Sequence, residues 1–355
     1  MNIKKKQILI VILQLAFSFT LFSQKGKHGP ALITGNGAIY NRYTPLAQSA
    51  FAGSSFVVVG NITDLEAPAI PGAINDCYGA NSLESCDLLM IIKMQGSSMN
   101  TGNSAAYGTV TGYNGVGDYE LFELGTINNN TITLAGGCKL NKNYFISSTQ
   151  RVQVIRIPRF TTLTINNGGS LTSRPWAQFA GTGGVVAIET SGAVIINGTI
   201  TTQGQGFRGG AAVLASAGAN ITNYVSTLNS SGGEKGEGIA GMQTDYDFLS
   251  GRYSRGAPAN GGGGGNSDNA GGGGGSNAGN LVGYSGTGIP DNAFATWTTA
   301  WNLEAASFAT STSPGGGRGG YSQSFNDGNA IVTAPGDAAW AGDNRNNIGV
   351  LVDDH

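Results

Sequence analysis

The chain is poor in the residues that usually do chemistry. Its only histidines are His28 and His355. The first lies close behind a leader-like N-terminus and the second is the last residue. Ser-His-Asp, Cys-His and His-ligated metal sites therefore lack a suitably placed imidazole. Paired carboxylates are the next option, because glycoside cleavage uses two carboxyls roughly 5–10 Å apart. Between Thr161 and Gly210 the sole acid is Glu189. Glu234 with Glu237, and Asp245 with Asp247, sit close together in glycine-rich text and read as solvated loop acids. Gly204-Gln205-Gly206-Phe207-Arg208-Gly209 matches GxGxxG, but a dinucleotide site needs a following helix and an acid about 20 residues on. Ala211–Ala217 runs into Gly218 and Asn220, a poor helix, so the motif reads as a tight turn. No cofactor is expected. Calcium is the one ion left open, at Asn326-Asp327-Gly328 and Gly342-Asp343-Asn344. Hard oxygen ligands in turns suit it, although ordinary turn chemistry explains both stretches.

Three cysteines are present. Cys77 and Cys86 flank a short Gly/Asn/Ser-rich stretch and are the expected disulfide, which would stiffen that loop. Cys138 is then the odd thiol, expected to be buried in a strand. Zinc is disfavoured, because no Cys-x2-Cys pair accompanies the scarce histidine. Among aromatic residues, Trp176 follows Arg174 and Pro175 in a loop and is the candidate surface contact for a sugar. Trp297 and Trp301 fall on a helical stripe with Phe294, Ala305 and Phe308, and read as core.

The elements that would position these residues are strands. Ser55–Val59, Asp87–Met94, Tyr119–Leu124, Thr131–Leu134 and Arg151–Ile157 carry strand patterns, with Asp87–Met94 the most apolar and expected to be central. Gly125–Asn130 reads as a turn. Arg151–Ile157 is expected to point Val152, Val154, Ile155 and Ile157 inward, with Arg151, Gln153 and Arg156 mostly outward. Shorter rungs follow: Thr162–Ile165, Ser170–Thr172, Val185–Thr190, Ala193–Ile196 and Thr199–Thr202. The first and last look like copies of one strand, Asn-Gly turn, strand unit. This spacing suggests stacked coils of a parallel β-helix or β-roll, with a two-sheet sandwich as the competing reading. Beyond residue 203 glycine dominates, with pure runs at Gly261–Gly265 and Gly271–Gly275. Such runs either act as linkers or pack as polyglycine II-like helices. The many large apolar residues nearby favour an ordered region.

The expected organisation is all-β. It comprises a signal peptide at 1–23, a β domain at 24–160, coils at 161–210 and a glycine-rich, polyglycine II-like region at 211–355 with one helix near 291–308. The leader shows Lys4, Lys5 and Lys6, an apolar run from Ile8 to Phe22, and a cleavage point after Ser23. That run is too short to span a bilayer comfortably, and no second long apolar run follows in the mature chain. Charged residues are 11% and the net charge is −2. Losing the leader's lysines makes the mature chain more acidic, so charge gives it no attraction to nucleic acid or anionic membrane.

Several stretches resemble large secreted adhesin-like proteins of the Bacteroidota, some linked to gliding motility. They are Asp87-Leu88-Leu89-Met90-Ile91-Ile92-Lys93-Met94-Gln95-Gly96, Tyr107-Gly108-Thr109-Val110 and Gly117-Asp118-Tyr119-Glu120. Gln153-Val154-Ile155-Arg156-Ile157-Pro158-Arg159-Phe160, Gly183-Gly184-Val185-Val186-Ala187-Ile188 and Gly206-Phe207-Arg208-Gly209-Gly210 complete the match. The resemblance covers roughly residues 30–215 and brings no catalytic residues with it. It implies export to the cell surface, often by type IX secretion, whose cargo usually ends in a C-terminal sorting domain. The end at Gly349–His355 shows none, which leaves two expectations: a piece of something longer, or another route out.

The functional expectation is a non-catalytic secreted or cell-surface protein on the outer-membrane exterior, adhesin-like or part of a larger adhesin. Its partners would be polysaccharide, a surface, another surface protein or the outer-membrane secretion machinery. The alternative is a polysaccharide-binding or polysaccharide-active β-helix protein, a lyase or glycosidase using Asp/Glu, possibly with calcium.

Overall fold

The computed structural model describes residues 25–66, 82–104, 106–176, 181–213, 223–254, 256–265, 272, 273 and 275. The leader, Cys77, the helix expected near 291–308 and both candidate calcium turns lie outside them. In chain order the strands are β1 (Ala31–Ile33), β2 (Arg42–Pro45), β3 (Phe56–Val58), β4 (Leu88–Gln95), β5 (Ser98–Met99), β6 (Val110–Gly112), β7 (Tyr119–Asn128), β8 (Thr131–Leu134) and β9 (Arg151–Ile157). After them come β10 (Arg159–Phe160), β11 (Leu163–Ile165), β12 (Ser170–Leu171), β13 (Glu189–Thr190), β14 (Val194–Ile196) and β15 (Thr199–Ile200). The described helical elements are short 3-10 turns, and none is long and apolar enough to cross a membrane.

Six strands form one antiparallel sheet in the order β2-β9-β4-β7-β8-β3. A bridge between Leu46 and Val59, just past the ends of β2 and β3, curls this sheet back on itself. The inner face is apolar: Val57, Leu89, Ile91, Phe122, Leu124, Ile132, Val152 and Val154 fill the barrel. As expected, β4 is central, paired with β7 on one side and β9 on the other. The expected turn at Gly125–Asn130 is shorter: β7 runs on to Asn128, and the chain reverses at Asn129 and Asn130.

The expected facing of β9 also needs correction. Alternation places Val152 and Val154 inside the barrel, but Ile155 and Ile157 face a second cluster with Tyr43, Leu88 and Met90. Gln153 and Arg156 are buried as well. Gln153 exchanges two hydrogen bonds with the Gly183 backbone, at 2.8 and 3.1 Å. Arg156 pairs with the Asp87 carboxylate at 2.7 Å. A strand covered on both faces can hold polar residues when each has a partner.

The cover on the outer face is the segment 183–188. Read as strand from Val185 onward, it becomes strand only at Glu189 and Thr190. The Asn41 side chain takes the place of a ladder neighbour, accepting from Ala187 N and donating to Ala187 O. Val185 and Ala187 then turn to the barrel cluster, while Val186 and Ile188 turn to the core of the coils.

The coils are parallel, as the β-helix reading requires. Ala31, Leu163 and Val194 lie in register, as do Ile33, Ile165 and Ile196. At the next corner Ala38, Leu171 and Ile200 continue the stack. The first coil thus comes from residues 31–38, and the chain departs to build the barrel before returning for the second. Ile33, Leu163, Ile165 and Leu171 are fully buried, whereas Val194, Ile196 and Ile200 remain about half exposed, because no described coil stacks on the third.

The glycine-rich stretch packs on a cluster of Met99, Tyr107, Tyr224, Ala240 and Tyr246, to which the β5–β6 excursion contributes. Its backbone bonds recur at every third residue: Gly233 N donates to Gly265 O and Gly236 N to Gly262 O. A Cβ at Gly264 would lie 1.9 Å from Gly233 O, so this approach requires glycine.

His28 joins the first coil to the second, its Nδ1 accepting from Arg159 N at 2.8 Å. Burial lowers its pKa from 6.5 to about 4; Asp87 opposes that shift, while Lys27 and Arg156 add to it. Between those values the unfolded chain binds the extra proton and the folded chain does not, so stability falls as pH drops through that window. His28→Asn keeps an acceptor and removes the titration. We expect thermal melting to depend less steeply on pH between 6.5 and 4 in this variant; equal slopes would reject the assignment.

Candidate functional site

A groove of about 1100 Å³ opens where the third coil meets the glycine-rich stretch. Ile200, Thr201, Thr202 and Gln203 leave β15 along one side, and Met94 and Asn260 approach from the barrel and the glycine-rich stretch. Trp176 and Phe207 complete an aromatic wall, their rings edge to face at a centroid distance of 5.1 Å.

Trp176 was expected at the surface, but its indole is only 3% exposed. The reason is local. Trp176 N donates to Gln205 O, Gly184 N donates to Arg174 O, and the loop is thereby drawn beneath the Phe207 turn. Trp176 supports the groove from below, and the half-buried Phe207 is the ring a ligand meets.

Of the four paired acids Asp247 is exposed as expected, and the other three are not. Glu237 has a fully buried side chain, and Glu234 and Asp245 are largely buried. Arg208 accounts for Glu237: Nη2 and Nε donate to Oε1 at 3.1 and 3.3 Å, and its backbone N donates to Oε2 at 3.1 Å. Asp245 takes a two-pronged contact from Arg151, and Glu234 pairs with Arg252. The glycine-rich text hid this, because the arginines that bury these acids stand far off in sequence. Glu189 is likewise committed, gripping Arg159 together with Glu123. Among the described residues no cluster of three His, Cys, Asp or Glu could hold a metal ion.

The GxGxxG stretch forms a turn, with Gly204 at φ +72° and no α-helix in the described residues after it. Sequence reasoning missed that two of its three non-glycine residues, Phe207 and Arg208, line the groove. The signal was an aromatic and a cation held between glycines. Cys86 lies beside Ser85 at the start of β4, and its expected partner Cys77 is outside the described residues. Cys138 is exposed and outside any strand, because Gly136 and Gly137 turn the chain out of the sheet after β8.

No family model matches the chain, and no curated protein does. Among solved structures it is similar to the tailspike gp61 of Pseudomonas phage phi297, at 10% identity and a TM-score of 0.19, over 48% of this chain and 19% of that one. It is similar to the Gp54 tailspike of Acinetobacter baumannii bacteriophage AP22, solved with A. baumannii capsular saccharide, at 13% identity and a TM-score of 0.20, over 48% and 26%. A third is the tailspike gp49 of Pseudomonas phage LKA1, at 12% identity and a TM-score of 0.19, over 41% and 26%. The chain spans about a fifth to a quarter of the length of these proteins. Likeness at this level carries no argument, and the β-helix assignment rests on the parallel register of the chain's own strands.

Proposed function

We propose that the chain is a non-catalytic secreted or cell-surface protein of the adhesive kind, which holds a polysaccharide in the groove between its third coil and its glycine-rich stretch. One observation carries this reading: the groove combines an aromatic wall with hydroxyl and amide groups, while the one carboxylate among its described residues, Glu237, is saturated by Arg208. Concave sites with an apolar wall and a few placed polar groups suit ligand binding. Glycosidase chemistry needs a second, unoccupied carboxyl. Surface placement is supported by the leader-like residues 1–23 and by the resemblance to Bacteroidota adhesin-like proteins, with type IX secretion as the route that resemblance implies. The three-residue recurrence of backbone bonds favours polyglycine II-like packing in the glycine-rich stretch.

The test is retention of the chain on a panel of immobilised polysaccharides, against an unrelated β-protein, with released reducing ends measured in parallel. We expect retention without release. Phe207→Ala should weaken binding about fivefold, in line with the ~1 kcal/mol of a good aromatic contact. Equal retention of the variant and the parent would remove the groove from the account.

A further inference from the structure

We infer that the polysaccharide held in this groove is anionic, carrying carboxylate or sulfate groups that meet Arg208; the inference rests on the glycan-binding function proposed above. Arg208 and Glu237 are the two charged residues of the lining among the described residues, and they are not equally accessible. The Arg208 side chain is 40% exposed, whereas that of Glu237 is 0% exposed. A ligand entering the groove therefore meets the guanidinium and not its counter-ion.

The guanidinium is also preorganised. Nε and Nη2 hold Glu237 Oε1, and Nη2 donates again to Gln243 Oε1 at 2.9 Å. Gln243 is itself anchored, its Nε2 donating to Gly209 O at 2.7 Å. A guanidinium carries five N–H donors, and these contacts leave the pair on Nη1 with no acceptor among the described residues. Two donors on one nitrogen, held by a fixed fork, are suited to an anionic oxygen. Phe207 in the same turn offers an apolar face to the sugar ring that bears it. The lower wall, Thr201, Thr202 and Gln203, is uncharged and suits hydroxyls.

The experiment uses the unmodified chain and two matched pairs of polymers. Polygalacturonate is compared with its methyl ester, and chondroitin sulfate with desulfated chondroitin; a neutral dextran and a neutral xylan complete the set. We expect at least one charged polymer to bind at least tenfold more tightly than its uncharged or less charged counterpart, with that advantage shrinking as salt rises. The pair that responds tells carboxylate from sulfate. Arg208→Gln combined with Glu237→Gln removes both charges without leaving a buried ion unpaired, and should lower affinity for the charged polymer to that for its counterpart. Should the counterpart or the neutral glycans bind equally well, or the double variant keep the preference, the anionic assignment is overturned while glycan binding stands. Should no polymer bind, the glycan-binding function fails as a whole.

Discussion

Replacing Lys235 with methionine is expected to destabilise the folded chain by about 2–3 kcal/mol, the upper scale for losing hydrogen bonds made by a charged group. Lys235 is 0% exposed. Its Nζ donates to the carbonyls of Tyr224, Ser254 and Gly256 at 2.6, 2.7 and 2.6 Å. An ammonium has three donors, so each finds an acceptor, and the Tyr107 ring lies 4.6 Å below the cation. Methionine matches the length but offers no donor: Tyr224 O and Ser254 O keep the backbone N–H of Gly256 and Gly264, whereas Gly256 O loses its charged donor, and an orphaned buried acceptor costs about 1–3 kcal/mol. Urea titration followed by near-ultraviolet circular dichroism measures the loss. A shift worth under 1 kcal/mol would mean that the glycine-rich stretch is held by its backbone bonds alone, and that this lysine is incidental.

Asp87→Asn is expected to cost about as much, by a different route. The Asp87 carboxylate is buried and takes Arg156 at 2.7 Å, Lys27 at 2.5 Å and the backbone N of Glu84 at 3.0 Å. Arg156 belongs to β9 in the barrel and Lys27 to the approach to the first coil, so one carboxylate joins two bodies of structure. An amide in its place would set a single neutral oxygen between two cations, an uncompensated arrangement that costs about 3 kcal/mol or more. The local consequence is easier to see than the global one. Lys25 and Lys27 should become trypsin-sensitive in the variant while the barrel stays resistant. Unchanged cleavage there would show that the His28 contact and the β1–β11 pairing secure the first coil without Asp87.

Much of the strand layout was legible. Asp87–Met94, Arg151–Ile157 and the two Asn-Gly rungs carry their periodicity openly, and each appears in the structure close to its expected place. Residues 31–38 show the same strand-turn-strand unit in Ala31-Leu32-Ile33 followed by Asn36-Gly37, but they stand apart from the other rungs, and distance in sequence hid their proximity in space. The polar members of β9 misled for a related reason. Period-2 alternation tells which residues share a face, not whether the opposite face is wet, and here residues 183–188 cover it. Glu234, Glu237 and Asp245 were misread because burial of a carboxylate depends on an arginine elsewhere in the sequence, such as Arg151 for Asp245. Trp176 was misplaced because a loop tryptophan reads as exposed until the turn that roofs it, at Phe207, is known.

The barrel stands between the first and second coils of a stack whose register continues through it, Ala31 onto Leu163 as Leu163 onto Val194. From the viewpoint of the stack, the whole barrel is one loop. The entropy of closing a loop grows only with the logarithm of its length, about 0.6 kcal/mol for each doubling. Such a seam is therefore nearly indifferent to what lies between its edges. An architecture of this kind can carry a large cargo at a corner of one coil without altering how that coil stacks, and Asp87 and residues 183–188 are the fasteners that keep the cargo from swinging free.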